Sequence, residues 1–88
     1  MYMEKITATR ALTAELAEEI LEHCGRYTSR ITISCHDHVV NAPVLSVAWP
    51  DLRIRPGDAV TITAESGHQP PDLEDRRALS DIVGLLTA

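Results

Sequence analysis

Arg55-Pro56-Gly57-Asp58-Ala59-Val60-Thr61-Ile62-Thr63-Ala64-Glu65 reads as a turn followed by a strand. Arg55 to Asp58 holds the turn formers. From Ala59 to Ala64 apolar and hydroxyl-bearing side chains alternate. A period of two puts Val60 and Ile62 on one face and Thr61 and Thr63 on the other. Ile31-Thr32-Ile33-Ser34-Cys35 repeats the pattern, with Ile31 and Ile33 opposed to Thr32 and Ser34. Strands built this way pack one face on helices and give the other to water, which defines an antiparallel α+β domain.

Working outward, a first strand is expected from Met3 to Thr9, with Ile6 and Ala8 on one face. Leu12, Leu16 and Ile20, with Ala17, Leu21 and Cys24 beside them, recur at helical spacing. They predict a helix from Thr13 to Cys24, with Gly25 as its stop. His36-Asp37 fits a two-residue hairpin turn, and Val39-Val40 starts a third strand. Pro43 stands near the start of a short helix, Val44 to Trp49, which Pro50 should end. Gly67 to Asp72 is expected as a loop before a last helix carrying Leu79, Ile82, Val83 and Leu86. The order is β-α-β-β-α-β-α in one domain spanning residues 1–88.

The 44% apolar content argues against disorder, and with no Phe the core must be aliphatic. A net charge of −5 argues against a nucleic-acid footprint, which needs a basic patch. No apolar run reaches the ~20 residues of a membrane span. Glu4 and Lys5 interrupt any leader-like opening, so a cytoplasmic location is expected. Cys24 and Cys35 are too few for a disulfide framework and read as reduced thiols.

Thr13 is a good N-cap residue. Such a helix start can hold an anion on free N–H groups, but Glu15 already places a negative charge in the first turn. The expectation is a capped structural helix without phosphate.

The chain resembles the HPr family, the histidine-containing phosphocarriers of the bacterial sugar phosphotransferase system. Ala11-Leu12-Thr13-Ala14-Glu15-Leu16-Ala17 lies where that family has Gly-Leu-His-Ala-Arg-Pro-Ala. Tyr27 to Ile33 looks like its helix exit and second strand, and Arg55 to Glu65 like its fourth strand. The resemblance implies an open-faced β-sandwich, with a four-stranded antiparallel sheet under three helices. It also implies a phosphocarrier, but the family's active histidine is replaced by Thr13. Its phosphate-screening arginine is Glu15, and its proline is Leu16. A phosphothreonine ester lacks the transfer potential of phosphohistidine, and Glu15 repels a phosphate placed beside it.

Glu18, Glu19 and Glu22 occupy the helix face that the family offers to acidic partners, which would steer such partners away. The short helix completes the family's partner-binding patch, and Trp49 is the sequence's only tryptophan. Leu12, Thr13, Glu15, Leu45 and Trp49 are therefore the candidate partner contacts. Ser46 is the nearest candidate for the family's regulatory phosphorylated serine.

His36 and His38 flank Asp37 beside Cys35, a combination able to bind zinc. Successive strand side chains diverge, however, so Cys35 and His36 are expected to point apart, with no metal held. His68 has no supporting neighbour as a displaced phosphoacceptor. No cofactor is expected, and no nucleophile–base pair or glycine-rich phosphate loop points to an enzyme. The expected function is a phosphotransfer-incompetent, regulatory protein-binding module related to the phosphotransferase system. The alternatives are a phosphocarrier with a non-standard acceptor and a structural, self-associating module using the Trp49 patch.

Overall fold

Four strands form one antiparallel sheet, in which the strands, counted along the chain, lie in the order first, fourth, second, third. The structure, a computed structural model, describes residues 1–68 and 71–88, and the side chains of all of these except 71 and 72. The elements are β1 (Tyr2–Thr7), α1 (Ala14–Cys24), β2 (Arg30–Cys35), β3 (His38–Asn41), α2 (Leu45–Leu52), β4 (Ala59–Glu65) and α3 (Pro71–Leu86). A 3-10 turn, Ala42–Val44, leads into α2. The architecture is the expected open-faced sandwich.

β4 is central. Its Ala59 pairs with Thr7 and its Ala64 with Tyr2 on one side. On the other side Thr63 faces Thr32, whose hydroxyl bonds to that of Thr63. The alternation is obeyed: Ile31, Ile33, Val60 and Ile62 are buried and Thr32, Ser34, Thr61 and Thr63 are not. Leu16, Ile20, Leu45, Leu52, Ile82 and Leu86 close over the apolar face from the helices. Among the described residues, no helix is long and apolar enough to cross a membrane.

Several boundaries differ from expectation. β1 ends at Thr7, not Thr9, because the chain there leaves the β4 ladder for other partners. The Ala8 N–H donates to the Asp58 carbonyl at 2.9 Å, and the Thr9 N–H donates to the Leu86 carbonyl at 3.0 Å.

α2 continues through Pro50 to Leu52 instead of ending at Trp49. A proline inside a helix frees the carbonyl four residues earlier. Here that carbonyl belongs to Ser46, and both Ser46 and Pro50 are exposed, so water can satisfy it. Burial of Leu52 holds the last turn, and Arg53 ends it with a left-handed φ of 52°.

β3 spans His38–Asn41, longer than its two central valines. Gly25 does end α1, but with φ −63° and not in the left-handed region. The stop comes from tightened bonds, Arg26 N–H to His23 and Tyr27 N–H to Cys24, each 3.1 Å. The loop expected over Gly67 to Asp72 lies partly outside the described residues, and α3 already includes positions 71 and 72.

Candidate functional site: the α1 end of the sheet

One end of the sheet gathers the start of α1, the end of β1, the Arg53–Asp58 loop, the β2–β3 turn and the last turn of α3. The Leu12 N–H donates to the Ile54 carbonyl at 3.0 Å, tying the α1 entry to that loop. Gly57 N–H donates to the Ala8 carbonyl at 2.8 Å. Arg10 Nη1 donates to the Leu85 carbonyl at 3.2 Å, at the negative end of the α3 dipole. Arg10 is thereby committed to α3.

Thr13 is the N-cap, with extended backbone (φ −119°, ψ 170°). Its Oγ1 accepts from the Leu16 N–H at 3.2 Å, so the hydroxyl is engaged in capping. Glu15 is exposed one residue into the helix, and Glu18, Glu19 and Glu22 are exposed further along it. The start of α1 therefore offers a hydroxyl and a carboxylate, and neither supplies an imidazole's nucleophilic nitrogen.

The candidate contact residues divide by burial. Leu12 and Leu45 are core residues at 7% and 0% exposure, so neither can meet a partner directly. Apolar spacing alone did not separate the inward side of α2 from the outward one. The outward side carries Val44 and Val47, 49% and 79% exposed, with Trp49 half-buried against the core. Thr13 and Glu15 are exposed, as is Ser46 in the first turn of α2.

The expectation that Cys35 and His36 point apart is overturned. Strand alternation stops at Cys35, because His36 and Asp37 both turn left-handed, with φ of 52° and 66°. That is the hairpin turn anticipated for this pair. It swings the His36 ring so that its Nε2 lies 3.1 Å from Asp58 Oδ2. Ligand atoms of Cys35, His36 and Asp58 all lie within 4.8 Å of one another. His36, Asp58, His38, Arg53 and Arg55 line a cavity of about 330 Å³ above them.

The Asp58 carboxyl is held below the ordinary value of 3.8, first by the Arg55 N–H and then by His36. Burial, and then the Asp58 charge, push the Cys35 thiol up. Cys24, on α1, is pushed up to about 11 by burial and by Asp81.

The remaining histidines lie elsewhere. His23 Nδ1 sits 2.8 Å from Asp81 Oδ1, and the Tyr27 hydroxyl donates to Asp81 Oδ2 at 3.1 Å. This joins α1 to α3. His68 is exposed beyond β4, at the opposite end of the sheet.

That opposite end holds a polar cluster the sequence did not announce. Glu74 and Asp75 are 7% and 3% exposed. Thr28 Oγ1 shares its proton with both Glu74 oxygens at 2.8 and 2.9 Å, and the Thr28 N–H also donates to Glu74. Ser29 Oγ donates to Asp75 Oδ1 at 2.5 Å, and Gly67 N–H donates to the same oxygen at 2.9 Å. The available signal was a Thr-Ser pair ahead of a strand and a Glu-Asp pair in a first helical turn. Their partnership spans 46 residues, which no local pattern encodes.

Similar folds occur among bacterial phosphocarriers. The HPr phosphocarrier of Bacillus anthracis matches 98% of this chain and 96% of its own, with a TM-score of 0.81 and 20% identity. HPr-C-His of Thermoanaerobacter tengcongensis matches 98% and 91%, with a TM-score of 0.78 and 20% identity. A histidine-containing phosphocarrier of Mycoplasma matches 96% and 90%, with a TM-score of 0.75 and 17% identity. At these identities the likeness shows the fold, that of an HPr-type open-faced sandwich. No protein-family model and no curated protein matches the sequence.

Proposed function

We propose that this chain is an HPr-like, phosphotransfer-incompetent module that binds a protein partner in a regulatory role related to the sugar phosphotransferase system. The observation that carries the reading is the engagement of Thr13 Oγ1 as the α1 cap, with Glu15 beside it. A capping hydroxyl is a weak acceptor, and a phosphate there would face a neighbouring carboxylate. The docking surface combines exposed Val44 and Val47, half-buried Trp49 and the acidic face of α1. Apolar anchors ringed by charge suit a partner with a basic rim. Phosphate added at Ser46 would enter the first turn of α2, where the helix dipole favours negative charge.

A second reading, a carrier with a non-standard acceptor, is favoured by His36. Its imidazole is oriented by Asp58, and Arg53 and Arg55 line the same cavity. Intact-mass spectrometry after incubation with phosphoenolpyruvate, enzyme I and a genuine HPr control separates the two. No phosphate gain, with the control modified, is expected. An acid-labile gain lost in His36→Asn would establish the second reading. Concentration-dependent sedimentation abolished by Val47→Glu would instead make the patch a self-association surface.

A further inference from the structure

The β2–β3 turn brings a thiol, an imidazole and a carboxylate together from two separate segments of the chain. Cys35 is the last residue of β2 and buried, His36 is the first residue of the left-handed turn, and Asp58 precedes β4. We propose that Cys35 Sγ, His36 Nε2 and Asp58 form a site for a zinc-class divalent cation, with a fourth position open toward the cavity. This proposal concerns a different side-chain cluster from the α1–α2 docking face and stands independently of it.

The three ligand atoms lie near one another, though not yet closed into a tetrahedral set. Two ligands at zinc's usual ~2.0–2.1 Å and a tetrahedral angle stand roughly 3.3 Å apart, and a thiolate stands a few tenths further from its neighbours. His36 Nε2 and Asp58 Oδ2 are 3.1 Å apart, and all three ligand atoms fall within 4.8 Å. Closing on an ion requires the three side chains to draw together, and exposed His36 has room to move toward buried Cys35.

The donor set selects the ion. Sulfur, imidazole and carboxylate together suit zinc or cobalt(II), whereas calcium and magnesium require oxygen shells. Asp58 is already supported from behind, because Oδ2 accepts from the Arg55 N–H at 2.8 Å. Such outer bonds orient a metal-binding carboxylate.

Charge also closes. One thiolate and one carboxylate neutralise a divalent ion, so Arg53 and Arg55 at the cavity wall face a neutral centre. They favour a water or small anion in the fourth position over a second cation. Binding forms metal–sulfur, metal–nitrogen and metal–oxygen bonds, displaces water from the ion and releases the Cys35 thiol proton to solvent.

Cobalt(II) titrated into the reduced full chain tests the site. One equivalent should produce a thiolate-to-cobalt charge-transfer band that zinc then removes. Cys24→Ser should retain the band and Cys35→Ser should lose it. His36→Asn, in which asparagine suits the left-handed turn, and Asp58→Asn should each weaken zinc binding by at least about tenfold while leaving the circular dichroism unchanged. No band, a band that follows Cys24, or zinc affinity unchanged in both His36→Asn and Asp58→Asn would overturn the proposal.

Discussion

The two ends of the sheet use polar side chains in opposite ways. Beyond the end of β4, Glu74 and Asp75 are buried, and their carboxyl groups take up the hydroxyls and amides of Thr28, Ser29 and Gly67. At the start of α1, the cavity-lining His36, His38, Arg53 and Arg55 are exposed, with Asp58 half-buried among them. A buried polar group must be satisfied, and removing its partner exposes the full desolvation cost. An exposed group loses little when altered and keeps bonding capacity for a ligand. The closed end is architecture, and the open end has donors and acceptors to offer.

Mutations at the two ends should therefore differ sharply. Asp75→Ala leaves Ser29 Oγ and the Gly67 N–H without their shared acceptor. It should cost about 3 kcal/mol and lower Tm by more than about 10 °C. Asp58→Ala at the open end should shift Tm far less, and equal shifts in thermal unfolding would erase the distinction.

Gly67→Ala probes the closed end from the backbone side. A Cβ there would stand 2.6 Å from Asp75 Oδ1 and 2.7 Å from Ser29 Oγ. About 2 kcal/mol of destabilisation is expected by urea unfolding. Gly84→Ala, with open space around it, should not destabilise the protein.

Thr13→Ala should cost about 1 kcal/mol through loss of the α1 cap, while Thr13→Ser should restore most of it. A Thr13→Ala protein of unchanged stability would remove the structural account of that residue.

The smallest effect is a pH dependence. Asp58 has a folded value lowered from 3.8, so its contribution is present above that value and lost as pH falls through the lowered one. The Tm gap between wild type and Asp58→Asn should narrow on acidification. A gap that widens instead would contradict the bonding of Asp58 to Arg55 and His36.

Much of the fold was legible because its signals are local. Alternation in 31–35 and 59–64 fixed the buried face, Thr13 and the apolar spacing fixed α1, and His36-Asp37 fixed the hairpin turn. The misreadings arose where a distant contact overrode a local rule. Pro50 does not end α2, because Leu52 is drawn into the core and the freed carbonyl lies on an exposed face. Leu45 looked available because an apolar residue on a short helix has no visible inside until the helix is docked, and Leu12, just ahead of α1, is buried where the chain is tied to the Ile54 carbonyl. At the start of α1, the capping role of Thr13 and the acidic first turn at Glu15 could be read directly. The meeting of Cys35 and His36 with Asp58 could not, since it needs both the left-handed turn and the return of β4 beside β2.

The central place of β4 also governs the order in which the chain can fold. β1 and β2 do not pair with each other; the link between them runs through β4. During synthesis the β2–β3 hairpin can close on its own as it emerges, but β1 has no strand partner until residues 59–64 appear. Long-range pairing of this kind slows folding and leaves apolar strand faces uncovered in the meantime. A nascent chain stopped before Ala59 is thus expected to hold an isolated hairpin and no sheet. The native sheet topology cannot be completed until the strand that lies between β1 and β2 has been made.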